Sequence, residues 1–205
     1  MGNAMIRRPL VAKLSTAALV VFAITAINAA AFAHIGDHSR MTLAEGLAHP
    51  FTGLDHILAM VAVGLWASQL KRPACWLLPM IFPTVMALGA TLSASGFALP
   101  WIEPAIAGSV IVFGAVIAFA LRPSLAVSTL VIALFALFHG YSHGVESPAQ
   151  NSIWAYSAGF ILATLALHAV GFAIGAAANR APVRFVVRTA GAAIAAVGVL
   201  LLAAV

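Results

Sequence analysis

Six apolar runs, at 51–70, 74–97, 103–121, 124–146, 153–178 and 183–205, carry only five Asp, Glu, Lys or Arg side chains among them. Each is about 20 residues, the length that crosses ~30 Å of hydrocarbon as a helix rising 1.5 Å per residue. Hydrocarbon offers no partner for a backbone N–H or C=O, so only helices and closed barrels cross it. The expectation is therefore an all-α integral membrane protein, a bundle of six spans. Pro79 and Pro83 fall inside the second run, where a spanning helix bends around a proline rather than ending at it.

The first 33 residues differ from these runs. Arg7, Arg8 and Lys13 form a basic start, an apolar stretch follows from about residue 14 to 27, and Ala31-Phe32-Ala33 is a small-residue cleavage site. That order reads as a cleaved signal peptide at 1–33, followed by a short exported tail at 34–48 and a permease-sized membrane domain within 34–205. The pI near 10.4 does not imply nucleic acid. Three of the ten basic residues go with the leader, and the rest lie scattered between apolar runs, seven against five acids. With the mature N-terminus outside, Lys71, Arg72, Arg122, Arg180, Arg184 and Arg188 fall at the inner ends and Glu103 and Glu146 at the outer ends. This positive-inside pattern predicts a bacterial inner-membrane protein with both termini periplasmic. Cys75 is the single cysteine, so neither a disulfide framework nor a thiolate metal site is available.

Against 7% charged residues, two clusters stand out: His49-Pro50-Phe51-Thr52-Gly53-Leu54-Asp55-His56 and His139-Gly140-Tyr141-Ser142-His143-Gly144-Val145-Glu146. Ionisable groups at membrane depth cost roughly 2.5–3.5 kcal/mol on insertion scales and mark substrate or ion paths. Asp55 lies 15 residues before Leu70 and His139 lies 15 after Ser124, so both sit about 22 Å from the inner boundary. His139 and His143 are four apart and Glu146 three further, one helix face. His49 and His56 would share a face if the helix ran on through Pro50, while Asp55, about 100° away, either ligates or orients a histidine. Gly53, Gly140 and Gly144 are expected where helices approach closely.

His49, Asp55, His56, His139, His143 and Glu146 are thus the candidate ligands of a divalent cation. Glu103, at a helix start, and His168, nearer the inner face, are candidate path residues; His34 and His38 are candidates for capture in the exported tail. Imidazole and carboxylate donors suit nickel, cobalt, zinc and copper(II) alike. The same donors leave two other readings open: an intramembrane zinc hydrolase, with an open coordination position for water, and a bis-histidine haem b protein. No phosphate-binding G-x-x-x-x-G-K-[ST] loop is present, so transport would be secondary, driven by a gradient.

The stretch HPFTGLDHILAMVAVGLWA resembles the first-helix signature of the HupE/UreJ family, FHGYSHGVE its histidine-rich motif, and GFILATLALHAVG its fifth span. The resemblance covers essentially the whole chain. It implies a nickel permease, or a cobalt one, serving hydrogenase or urease maturation, with the metal as cargo and no permanently bound cofactor. By motif match the family's functional residues fall on His49, Asp55, His56, His143 and Glu146, and more loosely on Glu103.

Overall fold

A computed structural model describes residues 42–146, 153–178 and 184–205. The expected leader at 1–33, His34, His38, most of the exported tail and Arg180 lie outside the described residues. The described chain is all helical: α1 (Leu43–Ala48), a 3-10 turn (His49–Phe51), α2 (Leu54–Gln69), α3 (Ala74–Ala94), α4 (Ile102–Ala118), α5 (Leu125–Glu146), α6 (Ile153–Ala178) and α7 (Arg184–Leu202). Helices α2 to α7 fall on the six apolar runs. Pro79 and Pro83 lie inside α3 without ending it.

Length separates these helices. Segments within α3, α5, α6 and α7 are each long and apolar enough to cross a bilayer. Helix α4, with 17 residues, reaches about 26 Å. Helix α2 has 16 residues and is preceded by α1 and the 3-10 turn, which meet it at 86°. A continuous helix through Pro50 is therefore not what forms. Thr52 closes the 3-10 turn, its N–H and hydroxyl both donating to the His49 carbonyl at 3.0 and 2.7 Å. Gly53 then takes an extended conformation (φ −109°, ψ 127°) as the N-cap of α2. At the other end, Thr42 and Glu45 start α1 with a reciprocal capping box, satisfying donors a short helix cannot.

Glycines decide which helices pair. A Cβ on Gly89, Gly140 or Gly144 would enter the backbone or Ser93 of the facing helix, which joins α3 to α5. Gly64, Gly171 and Gly175 do the same between α2 and α6, and Gly114, Gly191 and Gly198 between α4 and α7. Between spanning helices the lipid tails are as apolar as leucine, so close backbone approach and dispersion replace the hydrophobic drive. The shared interior is built on Met60, Trp66, Leu78, Phe82, Val110, Phe113 and Ile132, all fully buried.

The two ends of the bundle are tied differently. At one end, carbonyls at the close of α4 receive donors from three directions. Trp66 Nε1–H donates to Leu121 O (3.1 Å), the Gln69 amide to Ile117 O (3.3 Å) and Arg188 Nε–H to Ala118 O (2.8 Å). Leu121 O and Ala118 O lie where a helix end leaves carbonyls over, while Ile117 O also accepts from Ala120 N–H at 3.0 Å. Exposed Lys71, Arg72 and Arg122 occupy loops at this end. At the opposite end the Tyr141 hydroxyl donates to Phe97 O (2.6 Å) and accepts from Leu99 N–H (3.2 Å), pinning the α3–α4 connection to α5.

A candidate cation path lined by histidines

The break at Gly53 builds the site. Because α1 and the 3-10 turn are bent across the start of α2, His49 is carried over the helix end rather than stacked two turns above His56. His49 meets His143 with ring centroids 4.7 Å apart, and His56 meets the same His143 at 4.6 Å. His56 also packs on His139 at 5.1 Å. Four imidazoles from three segments thus form one connected group at the end of the bundle opposite Lys71 and Arg122. The equal depth expected for Asp55 and His139 is met by this contact.

His56 and His139 are oriented by what their Nδ1 atoms touch. Asp55 Oδ1 accepts from His56 N–H at 2.8 Å and lies 2.7 Å from His56 Nδ1. Asp55 thus lies against Nδ1 of its neighbour, the position from which a carboxylate orients a histidine. A carboxylate beside Nδ1 holds the proton there and directs the Nε2 lone pair away, the arrangement that makes an imidazole a good ligand. Asp55 also stands in the first turn of α2, where the helix dipole favours a negative charge. Gly53 serves this pair and not a neighbouring helix. A Cβ there would lie 2.6 Å from Asp55 Oδ1 and 2.7 Å from His56 Nδ1, so the expected helix–helix role for Gly53 is replaced by a local one.

His139 is fully buried. Its Nδ1–H donates to Phe135 O at 2.9 Å, and a carbonyl can only accept, so Nε2 carries the lone pair. That Nε2 is buried with no hydrogen-bond partner among the described residues. His143, one turn further along α5, is also buried and packs at a tilt against Phe160 at 4.3 Å. Tyr156 and Phe160 of α6 close the side of His49, at 5.7 Å each.

The other candidates separate by position. Glu146 ends α5, three residues beyond His143. Glu103 is exposed in the first turn of α4. His168 is 1% exposed and lies closer to the group than its count along α6 implies. Its Nδ1–H donates to Met60 O at 2.8 Å, four residues past His56 on α2, a rise of about 6 Å. Among the described residues no three His, Cys, Asp or Glu side chains stand placed around a common ion position; the imidazoles meet edge to face and tilted instead. Sequence reasoning passed over Phe82, Tyr156 and Phe160, the aromatic rings packed against these histidines. Aromatic residues in an apolar helix carry no mark distinguishing wall from lipid face.

Residues 21–201 match the HupE / UreJ protein family. Protein HupE of Rhizobium leguminosarum bv. viciae is 45% identical over 177 residues, which cover 86% of this chain and 92% of that protein. No solved structure matches the chain.

Proposed function

The chain belongs to the HupE/UreJ family, and from that premise we propose that it is a secondary permease admitting Ni²⁺, or Co²⁺, across the bacterial inner membrane for hydrogenase or urease maturation. The observation that carries the reading is the meeting of His49, His56, His139 and His143 at one end of the bundle, with Asp55 on His56. Imidazole suits the later divalent transition metals and is a poor donor for magnesium or calcium. A partly hydrated cation would exchange water for imidazole nitrogens, with Asp55, and Glu146 at the helix end, offsetting its charge. Small ring rotations bring edge-packed imidazoles into coordination.

Six spans, with α2 completed by the bend and α4 at the short end of the usual range, put both termini outside and the Lys71–Arg122 end inside. A 2+ ion moving inward gains about 4.6 kcal/mol per 100 mV, roughly a 10³-fold gradient without nucleotide hydrolysis.

The test is accumulation of radiolabelled nickel in cells lacking other nickel importers, compared with the same cells expressing the chain. Accumulation that depends on the chain and collapses with the membrane potential supports the reading. Equal accumulation with and without the chain, at verified membrane abundance, refutes it.

A further inference from the structure

Beyond the four-histidine group, one ring links an outer histidine to a deeper one. Phe82, fully buried on α3, packs against His139 at 5.5 Å and against His168 at 5.3 Å. The two histidines it touches are alike in a specific way. Each donates Nδ1–H to a backbone carbonyl, Phe135 O or Met60 O, so each is held in the tautomer whose lone pair is on Nε2. Each Nε2 is buried without a hydrogen-bond partner among the described residues. An orphaned acceptor in a dry interior costs about 1–3 kcal/mol, and two with matching tautomers in contact with one phenyl ring are not accounted for by packing. One turn before His168 on the same face of α6, Thr164 is fully buried and its Oγ1 is likewise without a partner.

We propose that His168 is a second, inner coordination point for the transported divalent cation, and that the Phe82 ring is the gate between it and His139. The inference rests on the permease reading and adds to it an order of events. The cation is held first by the outer histidines, Phe82 turns aside, and His168 Nε2 takes the ion, with Thr164 Oγ1 a neighbouring oxygen donor. The backbone at the gate is suited to such movement. Pro83, the next residue, has no N–H for the Pro79 carbonyl, and Pro79 has none for the Cys75 carbonyl. Helix α3 therefore lacks one i→i−4 bond in each of two successive turns next to Phe82.

The experiment compares wild type, His168→Gln, Phe82→Ala and Phe82→Trp. It measures nickel uptake in cells, equilibrium nickel binding to purified protein, and nickel release from loaded proteoliposomes. Glutamine retains an N–H for Met60 O but has no nitrogen lone pair. His168→Gln is expected to keep nickel binding at the outer group and an unchanged KM while lowering the maximal uptake rate by about tenfold or more. Phe82→Ala should release nickel faster than wild type, and Phe82→Trp should bind nickel yet transport little. Wild-type uptake in His168→Gln, or its loss of outer binding, would show that His168 only supports the fold and overturn the inner station. Wild-type release from Phe82→Ala would overturn the gate. If the wild-type chain itself takes up no nickel, it is the permease reading that fails.

Discussion

Gly140→Ala tests the geometry of the site through a single methyl group. The added Cβ would lie 2.6 Å from Met86 C and 2.8 Å from Met86 Cα, with Met86 O nearer still. Ordinary carbon contacts are about 3.5–4.0 Å, so α3 and α5 must separate by about 1 Å along this line. The obstacle is backbone, which cannot swing aside as a side chain can. Overpacking of this kind costs about 1–3 kcal/mol, and replacing glycine within a helix returns up to about 1 kcal/mol. The net expected loss is about 1–2 kcal/mol. The functional effect is larger, because His139 is the adjacent residue and His143 lies three beyond. A displacement of about 1 Å in an oriented site costs on the order of 10²-fold in rate. Gly108→Ala is the paired control, since a Cβ there meets nothing within 4 Å; it should match or exceed wild-type stability and transport normally. Thermal unfolding in detergent and nickel uptake at equal membrane abundance read both quantities. If Gly140→Ala matches Gly108→Ala in both, the close approach of α3 and α5 is wrong.

Further outcomes follow from the same geometry. His56→Ala and His143→Ala should each remove most uptake, and the double variant should be little worse than either, because contacting rings that bind one ion act as a unit; multiplicative losses would indicate two separate sites. Gly53→Ala should impair uptake with little change in stability, because the methyl displaces the Asp55–His56 pair and no helix contact; unaltered uptake would remove the orienting role given to Asp55. A reporter fused after Val205 should be active only in the periplasm, and a cytoplasmic signal would refute six spans. A metal-binding imidazole must be neutral, so uptake should fall as external pH drops from about 7 to about 5.5, mainly through a higher KM. A flat profile would argue against histidine ligation at the mouth.

Much of the helical content was legible because hydrocarbon leaves the backbone so few choices. The run at 153–178 is α6 without adjustment, and those at 74–97 and 124–146 differ from α3 and α5 by one to three residues at their ends. Pairing of the Asp55 and His139 levels followed from counting rise per residue, because both helices run along the bundle. Counting failed where direction changes. His49 and His56 would share a face only on a helix continuous through Pro50, and the turn at Thr52–Gly53 instead brings both rings to His143.

His168 shows the same limit from the other direction. Its position along α6 puts it far from the mouth, yet the close α2–α6 contact at Gly64, whose Cα hydrogens face His168 O, carries its ring to Met60 and Phe82. Composition and run length sufficed for an all-helical chain of apolar spans and singled out the histidines and carboxylates, since each follows from the cost of a polar group in lipid. Which imidazoles touch, that His139 and His168 each donate Nδ1–H to a carbonyl, and that one phenyl ring packs against both were decided only by tertiary packing. Those features depend on separations of a few ångströms between residues as distant in sequence as Met60 and His168, and no local rule of spacing or propensity encodes such a separation.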